Sequence, residues 1–221
     1  MLVFNFGEIM INPVLKTIKD RRSSVRFKST SIDDEKVNAV LDAGRWAPSW
    51  TNAQPWRFIV IKDKGIKEKM SKVVSTVFNL SIKDAPMVIA VCVNPEVDPY
   101  HFVEDGTTAT QNMALAAQSI ELSTSWIGVF SLLNEKNSTE RKLKEILRIP
   151  EKWRLISILP LGFPKFRQSK KRKELSELVD LNLFMVREED KSKLEAKEKL
   201  PDEIKKIHEP VSARELEPAI V

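Results

Sequence analysis

Apolar residues recur along this chain at two alternating periods. Asn12 followed by Pro13 reads as a helix cap and first helical position, with Leu15 and Ile18 forming one apolar stripe. A second helix is predicted from about Ser31 and Asp33. Val37, Val40 and Leu41 are spaced three and four apart, and Pro48 disfavours helical geometry at Ala47. The run Phe58–Ile61 predicts a buried strand and Ile66–Val77 a helix. Met87–Val93, introduced by Pro86, predicts a second strand. Thr107–Leu122 is the longest helical pattern, with Met113, Ala114, Ala117 and Ile120 on one face. Ser125–Phe130 predicts a third strand. Asn137 and Glu140 have the spacing of a capping box opening a helix to Leu147. Leu155–Leu161 predicts a fourth strand, closed by Gly162 and Pro164.

Helices alternating with strands imply layers around a sheet. After Val179 the character changes. Leu181–Val186 has the pattern of a short strand, and Glu188–Lys199 is a charged helical pattern with little apolar face. The chain is therefore expected to carry one domain over residues 1–180. A charged C-terminal extension over 181–221, unable to fold alone, is expected to pack on another surface.

Composition narrows the chemistry. With 221 residues, 42% hydrophobic and 30% charged, the chain can bury a substantial core. No apolar run approaches the ~20 residues that span a bilayer, and the first residues lack a signal-peptide pattern. The single cysteine, Cys92, lies in an apolar strand pattern and reads as a buried hydrophobe, which suits a reducing cytoplasm. A net charge of +5 raises nucleic-acid binding, but most basic residues alternate with acids, which favours a solvated surface. The six glycines form neither a dinucleotide fingerprint nor a phosphate loop. His101 and His208 stand alone, so no metal site and no Ser-His-Asp triad are indicated.

Two features carry candidate chemistry. The segment Ala47–Trp56 is rich in proline, amides and hydroxyls and holds Trp50 and Trp56, offering flat apolar faces beside fixed donors and acceptors for a planar heteroaromatic ligand. Arg21-Arg22-Ser23 between the first two helices, and the basic cluster with Lys170 and Arg172 near the other end, supply forked donors suited to phosphate. Each also reads as an ordinary basic helix end or solvated loop.

Five blocks in order carry a resemblance: Arg21-Arg22-Ser23 with Phe27; Pro48-Ser49, Asn52 and Gln54-Pro55-Trp56; Trp126-Ile127-Gly128; Leu159–Pro164; and Ser169–Arg172. Together, over residues 12 to 180, they resemble the nitroreductase family of FMN flavoproteins. The resemblance implies an α+β, three-layer fold with a mixed or antiparallel central sheet flanked by helices, and a homodimer with FMN sites at the subunit interface. It assigns the FMN phosphate to Arg21, Arg22, Ser23, Lys170 and Arg172. Pro48, Ser49, Asn52 and Gln54 would line the flavin, and Ile127–Gly128 would offer backbone N–H near flavin N5. Asn79 lies one residue from a position where some members contact the flavin. Val25 stands where many members are basic, and Arg26 is a candidate substitute. Trp50 replaces a small polar residue, either to stack on substrate in the pocket or to pack at the dimer interface.

The expected activity is electron transfer from NADH or NADPH to nitroaromatic or quinone acceptors by a ping-pong mechanism, with no obligatory side-chain acid or base. Flavin fragmentation, reductive dehalogenation and non-enzymatic flavin binding are the alternatives within the same resemblance.

Overall fold

The structure, a computed structural model, describes residues 12–74, 78–133, 136–167 and 171–185. The chain divides into two units, residues 1–169 and 170–221.

In the first unit the strands β1 (Trp56–Ile61), β2 (Met87–Val93), β3 (Ser123–Thr124), β4 (Ile127–Gly128) and β5 (Arg154–Gly162) form one sheet. The order is β1-β2-β5-β3, with β4 also on β5, and every pairing of these strands is antiparallel. The helices are α1 (Pro13–Asp20), α2 (Asp34–Arg45), α3 (Lys64–Val73), α4 (Asn79–Asp84), α5 (Phe102–Ser119) and α6 (Thr139–Leu147).

Strand alternation sorts the core into two halves. Val88, Ala90 and Cys92 of β2 pack with Met70, Ile82 and Leu143 of α3, α4 and α6. Met87, Ile89 and Val91 pack with Val37, Val40, Met113 and Ala117 of α2 and α5. The sheet is thus the middle of three layers, with β2 buried along all seven residues. Each such Val or Ile contributes roughly 1.5–3 kcal/mol by leaving water. That outweighs any local preference of the connecting segments. A bulge between Val91 and Cys92, where β5 partners skip from Ser157 to Leu155, lets Leu155 and Ile158 face the same core half. Burial pushes the Cys92 thiol up to about 12, so no thiolate nucleophile is available there.

Several elements differ from the sequence expectation. The Asn12 cap forms as predicted, its Oδ1 accepting from the Leu15 N–H at 2.9 Å. The predicted helix end at Val77 lies outside the described residues. The Thr107–Leu122 helix instead starts at Phe102. The Asp98 carboxylate accepts the N–H groups of Tyr100 and His101 at 2.9 and 3.0 Å and turns the chain into the helix early. Gly106 is needed inside it: a Cβ there would sit 2.6 Å from Ile156 Cγ1.

Of the predicted strand Ser125–Phe130 only Ile127–Gly128 is strand, and it shares one register against β5 with Ser123–Thr124, which precedes the predicted run. The gap lies opposite Pro160. Its carbonyl accepts from Ser125 N–H at 3.3 Å, and its ring nitrogen has no N–H to return. The Asn137/Glu140 capping box is replaced by Ser138, whose Oγ accepts from Arg141 N–H at 3.3 Å. Glu140 turns inward instead and is fully buried. It receives Arg154 Nε at 2.7 Å, Arg154 Nη2 at 2.9 Å, Ser131 N–H at 2.8 Å and Leu155 N–H at 3.1 Å.

In the second unit, residues 175–177 form a 3₁₀ turn with a reciprocal Glu174/Glu177 cap. The strand predicted from Leu181 is absent over residues 181–185. Asn182 adopts φ 64°, and Leu183 N–H donates back to Leu181 C=O at 2.8 Å, which curls the segment out of extended geometry. Val186 and the Glu188–Lys199 pattern lie outside the described residues.

Candidate functional site

The Arg21-Arg22-Ser23 block leaves the end of α1 and runs beside β3. Ser23 forms a parallel bridge with Thr124, and Ser24 N–H donates to Thr124 C=O at 3.0 Å. Three hydroxyls stitch the segment down. Ser24 Oγ donates to Ser123 Oγ at 2.9 Å, Ser123 Oγ to Arg22 C=O at 3.0 Å, and Ser125 Oγ to Ser24 C=O. Ser123 and Ser125 were not singled out from sequence. Their signal is the Ser-Thr-Ser run, with hydroxyls available on a short edge strand.

The Ser123→Ala variant should lose about 1–2 kcal/mol of stability, measured by urea unfolding, because it strips the partner from a buried carbonyl and a buried hydroxyl. Arg22 Nη1 donates to the C=O of Arg21 at 2.9 Å and also to that of Lys19, so in this state its guanidinium caps α1. Arg26 is engaged elsewhere, its Nε 2.6 Å from Asp84 Oδ2.

Four residues further along the same edge, about 13 Å at the strand rise, stands Gly128. Ser125 and Val129 direct their N–H groups to β5, while the Thr124 carbonyl faces outward to Ser24. The two-residue alternation of an antiparallel pair therefore turns the Gly128 N–H away from the sheet and the Ile127 N–H toward it. Among the described residues a Cβ on Gly128 would meet nothing within 4 Å, whereas Gly44, Gly65, Gly106 and Gly162 each face an atom at 3.3 Å or less. Its φ is not positive either. Neither backbone conformation nor packing among the described residues accounts for a glycine here. Gly128 borders a cleft of ≈ 430 Å³ lined by Val74, Phe78, Trp126, Phe130 and Thr139. Asn79 opens α4 directly after Phe78.

The Pro48–Gln54 loop folds as a strained knot. Thr51, Asn52 and Gln54 have φ of 47°, 59° and 50°. Asn tolerates the left-handed region, but a β-branched threonine there is strained. Local bonds hold the shape. Ser49 Oγ accepts Gln54 N–H at 3.0 Å, Gln54 Nε2 donates to Asn52 C=O at 3.2 Å, and Thr108 Oγ1 donates to Pro48 C=O at 3.1 Å. Asp105 Oδ1 accepts the Trp50 N–H at 3.1 Å. The Trp50 indole, 54% exposed, stacks on the His101 imidazole with centroids 4.3 Å apart and planes at 24°.

Beneath that stack lie two buried carboxyls, Asp98 and Asp105. Burial pushes Asp105 up, helped by the Asp98 charge and opposed by the Trp50 N–H. Burial pushes on Asp98 too, but the amides of His101 and Tyr100 outweigh it and hold Asp98 below the usual carboxylate range. Neither aspartate was singled out from sequence; the available signal was a carboxylate three residues before His101. Among the described residues no group of three or more His, Cys, Asp or Glu side chains is placed to hold a metal ion.

The predicted residues thus fall into separate places. Arg22, Ser23 and Gly128 share the β3/β4 edge. Pro48, Ser49, Trp50, Asn52 and Gln54 sit in the loop feeding β1, the other edge strand, and that loop is tied to α5 through Asp105 and Thr108. Arg172 belongs to the second unit, and Lys170 lies outside the described residues.

The nitroreductase family model matches residues 18–80 and 75–163. The chain belongs to the nitroreductase family. An Archaeoglobus fulgidus protein named as a putative NADH dehydrogenase/NAD(P)H nitroreductase is 35% identical over 68% of this chain and 85% of its own. Among solved structures, the FMN-dependent nitroreductase of Clostridium difficile R20291 is 28% identical. It superposes with a TM-score of 0.66 over 76% of this chain and 98% of its own. A structure from Desulfovibrio desulfuricans, described as a putative nitroreductase in complex with FMN, is 29% identical, with a TM-score of 0.68 over 80% of this chain and all of that one. As a nitroreductase-family oxidoreductase the chain has the expected α+β architecture, and the pairings among β1–β5 are antiparallel.

Proposed function

We propose that this chain is an FMN-dependent oxidoreductase that passes electrons from NADH or NADPH to nitroaromatic or quinone acceptors. Gly128 carries this reading. It leaves an outward-facing N–H on the sheet edge, with no reason among the described residues to lack a side chain. A flat ring laid on that edge gains close backbone approach and a directed donor. The same strand leads about 13 Å back to Arg22 and Ser23, a separation suited to a chain that ends in phosphate.

The names of the similar proteins support FMN and NAD(P)H as the pair in use. Bound FMN would supply reversible two-electron chemistry, accepting hydride from the nicotinamide and reducing the acceptor. The chain's own residues bind and orient. Arg21, Arg22 and Ser23, with Lys170 and Arg172, would neutralise the phosphate; Arg22 would leave its helix cap to do so. The Gly128 N–H would stabilise charge developing on the ring. Pro48, Ser49, Asn52 and Gln54 would line the ring, and Trp50 would border the acceptor pocket. We infer a homodimer, as the family resemblance implies, in which the Pro48–Gln54 loop that meets each ring comes from the second copy of the chain. The lone buried cysteine suits a cytoplasmic setting.

Purified protein, reconstituted with FMN and made anaerobic, should lose its visible flavin absorbance on addition of NADH or NADPH and regain it with a quinone or nitroaromatic. A bound flavin that neither nicotinamide bleaches would leave a flavin-binding protein and no oxidoreductase.

A further inference from the structure

We propose that Asp98 and Asp105 share one proton, and that Asp105, so held, is the positioning residue for the Pro48–Gln54 loop and its Trp50. The proposal rests on the flavin reading above for its functional consequence, not for its geometry. Three buried polar atoms lack a hydrogen-bond partner among the described residues, and they are Asp98 Oδ2, Asp105 Oδ2 and His101 Nδ1. Unpaired buried polar atoms are costly, and three in one place call for an explanation.

The other oxygen of each carboxyl is committed. Asp105 Oδ1 takes the Trp50 N–H, and Asp98 Oδ1 takes the N–H groups of Tyr100 and His101. The Asp98 charge helps push Asp105 up, so of the two neighbouring buried carboxyls Asp105 is the one that resists ionisation. Two ionised carboxylates offer only acceptors, so they cannot satisfy each other. One proton between the free oxygens makes a donor and an acceptor of them at once. The groups facing the pair are the His101 imidazole, with Nδ1 3.7 Å from Asp98 Oδ1, and the backbone N–H groups of Trp50, Tyr100 and His101. Glu104, next along α5, is exposed.

The singly protonated pair keeps Asp105 Oδ1 aimed at Trp50 N–H, and that bond ties the strained Thr51–Gln54 backbone to α5. The sign of the pH dependence follows. Asp105 is raised above 3.8, so its contribution is present in acid and lost as pH rises through its folded value. Asp98 is lowered below 3.8, so its contribution is lost only as pH falls through its own folded value. The loop is held best between the two. Above the upper limit both carboxylates are charged, and their repulsion turns the Asp105 carboxylate away from Asp98 against the stronger pull of a charged Oδ1 on Trp50 N–H, which frees Trp50 from its stack on His101.

The test compares full-length wild type with Asp105→Asn and Asp105→Ala. Asparagine keeps an oxygen for Trp50 N–H and offers Nδ2–H to Asp98, but it does not titrate. In flavin-free protein, the Trp50 fluorescence (the difference between each protein and its Trp50→Phe version) should change in one step above the ordinary carboxylate range for wild type and stay level there for Asp105→Asn. FMN affinity, read by flavin fluorescence quenching, should fall with rising pH in wild type more than in Asp105→Asn. The phosphate's own titration near pH ~6 is common to both proteins and cancels in the comparison. At the acid end of the titration Asp105→Asn should match wild type, while Asp105→Ala should bind FMN about tenfold more weakly.

The proposal is overturned by an Asp105→Ala protein that binds FMN like wild type, or by a Trp50 step that persists in Asp105→Asn. If Asp105→Ala does not fold, the asparagine comparison decides alone. If no version binds FMN at any pH, the flavin reading fails, and the flavin-free Trp50 titration still decides the carboxyl pair.

Discussion

Replacing Gly128 with valine should cut FMN affinity by at least about a hundredfold, roughly 2.7 kcal/mol, while leaving the fold untouched. The two halves of this expectation come from one observation. None of the described residues lies within 4 Å of the position a Cβ would take. A β-branched side chain suits an edge strand, so thermal unfolding should shift by no more than about 0.5 kcal/mol. The same methyls would stand where the flat ring approaches the strand. Gly106→Val is the matched contrast. There the Cβ meets Ile156 Cγ1 at 2.6 Å and Val93 Cγ1 at 3.0 Å, so overpacking should cost about 1–3 kcal/mol or more. Equilibrium FMN titration beside urea unfolding separates the two variants. A Gly128→Val protein that binds FMN normally would remove the main physical support for the flavin site.

Glu140→Ala should be the most destabilising single change in the first unit outside the apolar core, costing about 3–5 kcal/mol. Glu140 is fully buried and receives four donors. Truncation leaves the Arg154 guanidinium, 15% exposed, without its counter-charge, and orphans the amides of Ser131 and Leu155. Arg154 also lies over the Phe130 ring at 4.4 Å, so the end of β4 beside the cleft should loosen with it. Against a domain stability of about 5–15 kcal/mol, the loss should be visible as a large fall in the urea midpoint. Replacing the pair together, as Glu140→Leu with Arg154→Met, should recover much of it, because the desolvation cost of both charges disappears. A single Glu140→Ala costing under about 1 kcal/mol would show that solvent reaches the pair.

Legibility in the sequence follows the range of the forces involved. The Met87–Val93 strand is a continuous apolar run bounded by Pro86 and Asn94, and its limits are those the pattern gives. The Asn12-Pro13 helix start is likewise a contact between near neighbours. What failed depends on partners far away in sequence. Glu140 has the spacing of a cap residue but is drawn inward by Arg154, fourteen positions on. The start of α5 depends on Asp98, and Gly106, which interrupts the helical pattern, is required by Ile156 and Val93 across the packing interface. The break between β3 and β4 arises from Pro160 on a different strand.

The candidate site divides in the same way. The Pro48–Gln54 segment was legible because its unusual composition reflects unusual backbone angles at Thr51, Asn52 and Gln54. The carboxyls beneath it, and the serines pinning Arg22 to Ser24, were not, since a Ser-Thr-Ser run and a carboxylate three residues before His101 are patterns that solvent-exposed segments also show.

The most direct measurement is a crystal structure of the protein reconstituted with FMN. It should show a dimer in which each phosphate lies on Arg22 and Ser23 of one copy. The ring should rest on Gly128 of that copy and meet the Pro48–Gln54 loop of the other. Electron density for flavin elsewhere, or a lattice in which the Gly128 edge stays bare at saturating FMN, would contradict the account.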